Sequence, residues 1–160
     1  MKTINFFLAI TLLTILSSCQ DNDPAPVIDI QALTITYSLV STSTPTTGTV
    51  ELTGVIKNIG NADYSSTAGQ QILSLIQRPA GTTTETVLET KDFLLVQKGA
   101  ELTIITQIPW DVAHEFQPDL ILRVSYDPDL LEDGNTANDD KNSENNEYIL
   151  AGNLVNDLFE

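Results

Sequence analysis

Cysteine occurs once in 160 residues, at Cys19, and histidine once, at His114. One thiol cannot form a disulfide within the chain, and one histidine leaves no His-Glu-x-x-His pair for zinc chemistry. Basic residues are almost as scarce. Five lysines and two arginines are scattered from Lys2 to Lys141 against 22 acids, giving a formal charge of −15 and a pI near 4.1. A nucleic-acid backbone would be repelled, because binding it needs clustered Lys and Arg. The same shortage excludes electrostatic attachment to an anionic lipid surface. Aromatics make up only 6%, with Trp110 the single tryptophan, and no segment keeps a helical period beyond a turn at the C-terminal "NLVNDLFE".

The chain does have a 41% hydrophobic content, enough for one domain with a real core. It also has an address. "MKTINFFLAITLLTILSSC" sets Lys2 before an apolar run from Phe6 to Leu16 and then small residues, the layout of a secretory signal peptide. Eleven residues are too few to span a bilayer as a helix. Leu16-Ser17-Ser18-Cys19 resembles the lipobox of bacterial lipoproteins, in which cleavage precedes the cysteine and lipid is attached to its sulfur. The expected division is therefore a signal peptide over 1–18, lipid attachment at Cys19, and a short linker over 19–26. The mature chain keeps 22 acids against 6 bases, a formal charge of −16. The linker "QDNDPAP" is polar and extended, reaching at most about 25 Å, so the domain sits close to its membrane. Asp21 and Asp23 beside the lipidated cysteine resemble export signals of some Gram-negative outer-membrane lipoproteins, which favours surface display slightly over a periplasm-facing position.

From Val27 onward, short alternations rich in Val, Ile, Thr and Tyr are separated by turn-forming clusters, the pattern of an all-β sandwich. In "TVELTGVIKNIG", Val50, Leu52 and Ile56 share one parity and Glu51, Thr53 and Lys57 the other, as in a half-buried strand. "ELTIITQIPW" aligns Leu102, Ile104, Ile108 and Trp110, and "LILRVSYD" aligns Leu120, Leu122, Val124 and Tyr126. "VIDIQALTITYSLV" changes parity between Ile30 and Leu33, which predicts a bulge or a crossing between sheets near Ala32. "QQILSLIQRP" is apolar on both parities and suits a central strand; "TETVLETKDFLLV" supplies one or two strands before the turn "QKGAE", and "NEYILA" is the last. The expectation is one immunoglobulin-like β-sandwich of about seven antiparallel strands over 27–160.

Three stretches line up with one family. "VIKNIGNADYSS", "QIPWDV" and the pair "VSYDPD" and "SENNEYIL" resemble strands and turns of bacterial cell-adhesion-related (CARDB-like) domains. The resemblance spans about Val27 to Ala151. It implies an immunoglobulin-like adhesion or spacer module on a bacterial surface, with no catalytic residues to transfer. The chain departs from the family in a far longer acidic insertion between "YDPD" and "ENNE".

Catalytic readings find little support. "WDVAHE" brings Asp111, His114 and Glu115 close in sequence, but no Gly-x-Ser-x-Gly elbow accompanies them, so a surface histidine in an inter-strand connection is expected. The parity of Trp110 makes it a core residue rather than a ligand platform. Asn58 and Gly60 read as turn formers, with Gly60 or Asn61 suited to a positive φ. A glycosidase needs two carboxylates held at fixed separation, which a polar loop does not promise.

The insertion at about 127–147 carries Asp127, Asp129, Glu132, Asp133, Asp139, Asp140, Glu144 and Glu147 with only Lys141 to relieve their repulsion. Two readings stay open, an ordered calcium site and a solvated, mobile loop. An EF-hand match started at Asp129 fails, because Leu131 occupies a ligand position. Asp127, Asp129, Asp133 and Asp139 are the candidate calcium ligands. The leading expectation is a non-enzymatic, lipid-anchored binding or adhesion module of the cell envelope with a protein or glycan partner. A calcium-stabilised spacer and an accessory carbohydrate-handling lipoprotein are the alternatives.

Overall fold

A computed structural model describes residues 24–160. Cys19, the apolar run before it, Asp21 and Asp23 lie outside the described residues. Nine strands follow in order: β1 (Ile30–Thr44), β2 (Thr47–Asn58), β3 (Tyr64–Ser65), β4 (Gln71–Arg78), β5 (Thr86–Asp92), β6 (Leu95–Val96), β7 (Glu101–Asp111), β8 (Asp119–Tyr126) and β9 (Glu147–Leu150). Two are two-residue strands paired with each other, β3 with β6. The other seven form antiparallel sheets in the orders β1-β2-β7 and β5-β4-β8-β9. The chain is all-β and sandwich-like, as its alternation predicts. No helix among the described residues is long and apolar enough to cross a membrane.

Parity decides which face of each strand is buried. Val50, Leu52 and Ile56 of β2 and Leu120 and Leu122 of β8 have no exposed surface, and they share one core cluster with Leu73 and Leu75 of β4. Between the sheets stands Gly54, on the inward parity of β2. A Cβ there would lie 2.5 Å from Leu122 Cδ1 and 3.0 Å from Ile104 Cγ2, so only a residue without a side chain lets the layers approach this closely. The parity change in β1 is a bulge: its register against β2 shifts between Ala32 and Thr34. Before it Ile30 and Ala32 point inward, and after it Ile35 does. The extra residue keeps the apolar side chains facing the core on both sides.

One expectation needs correction. Among the described residues the positive-φ positions are Gly69, Gly81, Gly99 and Gly134; neither Gly60 nor Asn61 is one of them. Gly60 is required by space instead, since a Cβ would strike the Val27 carbonyl oxygen and stand 2.9 Å from the Asp29 nitrogen. Asn58, read as a turn former, is fully buried. Its Nδ2 donates to the carbonyls of Ala62 and Val96, both at 2.9 Å, and its Oδ1 accepts from the Gly60 amide at 3.0 Å. It stitches the connection after β2 to β6, with its hydrogen-bonding groups satisfied inside the protein.

The C-terminal turn exists as a 3-10 helix over Gly152–Phe159. Val155 is fully buried, and Asn156 Oδ1 accepts from Trp110 Nε1 at 2.9 Å. Trp110 is a core residue, 4% exposed, as its parity requires. This helix, the end of β7 and the β1–β2 turn lie at one end of the sandwich. Register places Gln71 opposite Tyr126 at the other end, where the acidic insertion leaves β8.

Candidate functional site

The insertion follows a defined hydrogen-bonded path rather than that of a simple hairpin loop. Asp127 anchors its start: the amide donates to the Gln70 carbonyl at 2.7 Å, and the carboxylate accepts from the Asp129 amide at 3.0 Å. That capping bond, with Pro128 next, starts a 3-10 helix over Pro128–Glu132. Its Leu130 is buried at 3% exposure, whereas Leu131 beside it is 68% exposed. Asp133 then accepts from the Asn135 amide at 2.6 Å, from Asn138 Nδ2 at 2.8 Å and from Gln70 Nε2 at 2.9 Å. These donors, Asn138 foremost, hold its carboxyl below the usual range. The chain is tied to β3 on the way, because Ser65 donates to the Ala137 carbonyl and Asn135 Nδ2 donates to the Ser65 carbonyl, each at 2.9 Å.

The second half turns inward. Asp140 forms a bridge with Ile28 ahead of β1, and the Lys141 amide donates to the Ile28 carbonyl at 3.0 Å. The Asp140 carboxylate accepts from the Tyr126 hydroxyl at 3.0 Å and the Asn142 amide at 3.2 Å. Burial outweighs these donors and pushes its pKa up. Burial likewise raises Tyr126, with the Asp140 charge adding to it. Behind this pair, Tyr64 is fully buried, packs its ring 5.4 Å from Phe93 and donates its hydroxyl to Gln71 Oε1 at 3.0 Å; burial raises its pKa to about 12.

Three buried side-chain atoms among the described residues have no hydrogen-bond partner, and all three are amide oxygens of this insertion: Asn138, Asn145 and Asn146 Oδ1. Asn138 Nδ2 donates to Asp133 and Asn145 Nδ2 donates to Asp29 at 2.8 Å, so carboxylates use the amide donors and leave the oxygens unmatched. The end of β8, the first 3-10 helix and the start of β9 enclose a cleft of about 420 Å³. Val124, Pro128, Leu130 and Leu131 give it an apolar wall, and Tyr126, Asp127, Asp140 and Asn146 give it a polar one. Arg123 borders it with its charge already matched: its terminal nitrogens hold both Glu85 oxygens at 2.7 and 2.8 Å, and its Nε holds Glu147 at 2.7 Å.

The four candidate calcium ligands have separate occupations. Asp127 caps the 3-10 helix, Asp133 organises the following turn, Asp139 stands 3.6 Å from Lys141, and Asp129 is exposed. Among the described residues no group of three or more His, Cys, Asp or Glu is placed to hold a metal ion. Asp111 ends β7, and His114 and Glu115 fall in the connection after it. There Asp111 Oδ1 accepts from the Ala113 amide at 2.9 Å, and His114 and Glu115 are exposed.

The residues that sequence reasoning passed over are Tyr126, Asp140 and the asparagines. Counting carboxylates hid the amides of "NTANDDKNSENNE", whose density was the available signal. Compared with known proteins, the chain matches no family model and no curated sequence.

Proposed function

We propose that the chain is a lipid-anchored, non-enzymatic binding or adhesion module of the cell envelope, held through Cys19 and displayed on the outer membrane's outer face. The observation that carries this is Leu16-Ser17-Ser18-Cys19, a lipobox-like end to an eleven-residue apolar run, at the only cysteine in the chain. The resemblance of Val55–Ser66, Gln107–Val112 and Ser143–Leu150 to cell-adhesion-related domains supports the adhesive role. So does the cleft at the insertion end, which combines an apolar wall with a few polar groups as binding sites do. The test is fractionation. The wild type should partition with membranes and carry lipid mass on its N-terminal peptide, whereas Cys19→Ala should be released. Retention of the alanine variant in membranes, with no lipid on the wild type, rejects the anchor.

A second reading, a calcium-stabilised spacer, is favoured by one observation: the unmatched amide oxygens of Asn138 and Asn145 belong to side chains bonded to the carboxylates of Asp133 and Asp29. Calcium takes oxygen ligands from both groups.

A further inference from the structure

The chain is fastened to the insertion end of the sandwich from its first described residues. Asn61 Nδ2 donates to the Ala25 carbonyl at 3.0 Å, the Val27 amide donates to Asn61 Oδ1 at 2.6 Å, and the Lys141 amide donates to the Ile28 carbonyl at 3.0 Å. Six residues of chain lead from Cys19 to Ala25, a reach of at most about 22 Å. The sandwich is longer than that, since the eleven residues of β7 alone run about 36 Å. On the lipid-anchor reading, an acyl group at Cys19 therefore keeps the insertion end near the membrane and leaves the end with the β1–β2 turn free to stand away. Phe116, 74% exposed, belongs to that far end, because the Val112 amide at the start of its connection donates to the Thr46 carbonyl at 2.9 Å. The tethered end carries exposed apolar side chains of its own: Val27, Ile59, Leu94, Leu95 and Leu131 are 37% to 68% exposed. The Ile59 amide donates to the Asp29 carbonyl at 2.8 Å; Leu95 pairs with Ser65, whose amide donates to the Ala137 carbonyl of the insertion at 2.9 Å. Leu131, on the 3-10 helix that Asp127 caps, is the most exposed of the five. Asp129 and Glu132 stand exposed on either side of it in sequence, and the helix carries no basic residue.

We infer that the insertion end rests on the bilayer that holds the lipid anchor, with the Leu131 side chain dipping among the lipids. The tether selects this occupant, because it is too short to let the insertion end leave the surface. The side chain fits it, because exposed hydrocarbon gains from an apolar environment. The anchor supplies the affinity, and the leucine supplies the orientation. Asp129 and Glu132 oppose deeper insertion, and they make an anionic surface a poorer support than a zwitterionic one. The Phe116 end is then presented outward, and a ligand of the cleft has to lie in the membrane plane or reach it from the side. This inference rests on the lipid-anchor reading and adds which end of the module meets the membrane.

The experiment uses the lipidated full chain, in which Cys19 is acylated and an introduced cysteine is the one free thiol. Leu131→Cys and Phe116→Cys, both at exposed positions, are labelled with a fluorophore. Each is reconstituted into phosphatidylcholine vesicles containing a phosphatidylcholine with a nitroxide on its acyl chain near the headgroup. The label at position 131 should lose fluorescence to the nitroxide, and the label at position 116 should keep it. Added phosphatidylglycerol should reduce the loss at 131, and Cys19→Ala in the same background should abolish it. Equal quenching at the two positions, quenching at 116 alone, an increase with phosphatidylglycerol or persistence in Cys19→Ala would each overturn the proposal. Energy transfer between labelled copies at 131, without quenching by lipid, would assign this end to a second copy and overturn it too. Lipid mass and vesicle partition are measured on the same samples. A lipidated, vesicle-bound protein with an unquenched label at 131 removes the orientation alone, whereas absence of both lipid mass and partition removes the anchor reading itself.

Discussion

The Tyr126 hydroxyl donates to Asp140 Oδ2 at 3.0 Å, joining the last residue of β8 to the far side of the acidic insertion. Burial raises the pKa of both partners, so the insertion is most comfortable when Asp140 keeps its proton. In the unfolded chain an aspartate titrates near about 3.9. The Asp140 contribution to stability is therefore complete below that value and is lost as pH rises through the higher folded value. Glu85, lowered chiefly by Arg123, and Asp133, lowered chiefly by Asn138, act in the opposite direction. Their stabilisation is present above about pH 4 and is lost as pH falls through their folded values. Urea midpoints measured from pH 3 to 8 should show both limbs. Asp140→Ala should flatten the decline above pH 4 and leave the acid limb in place; an unchanged alkaline slope would refute the assignment.

Gly54 sets the spacing of the sheets. Gly54→Ala should destabilise the domain by about 1–3 kcal/mol, because Leu122 and Ile104 would have to move to admit even one methyl group. Denaturant unfolding with an unchanged m-value is the measurement, and a loss below about 0.5 kcal/mol would mean that the layers are not packed as described.

Asn58→Ala should cost about 1–3 kcal/mol, since the carbonyls of Ala62 and Val96 would lose a donor and the Gly60 amide its acceptor. The damage should be local. Hydrogen exchange should rise at Gly60 and through the following connection, while the β4–β8 ladder stays protected.

Calcium separates the two readings of the insertion. If its amide oxygens and carboxylates hold the ion, calcium at a hundred times its Kd should stabilise the domain by about 2.7 kcal/mol. Magnesium at equal ionic strength should not, because it demands a tighter octahedral shell. Equal melting temperatures in calcium, magnesium and chelator would reject the spacer reading.

The sequence by itself determined the strands. Alternation in β2, β7 and β8 names their buried faces, because a pleated backbone sends successive side chains to opposite sides whatever lies beyond. Trp110 was legible for the same reason. The change of parity in β1 left a bulge and a crossing between sheets open, and the register against β2 decided for the bulge. What only the tertiary structure decided was everything that depends on a distant neighbour. Gly60 reads as a turn residue until Val27, thirty-three positions earlier in the chain, is found to fill the space where a Cβ would go. The insertion reads as a run of like charges. Folding instead sorts its acids into a cap at Asp127, a turn support at Asp133 and a half-buried partner for Tyr126 at Asp140. Local sequence fixes where side chains point; desolvation and hydrogen-bond pairing depend on which surfaces meet, and they alone settle which of eight carboxylates stays in water.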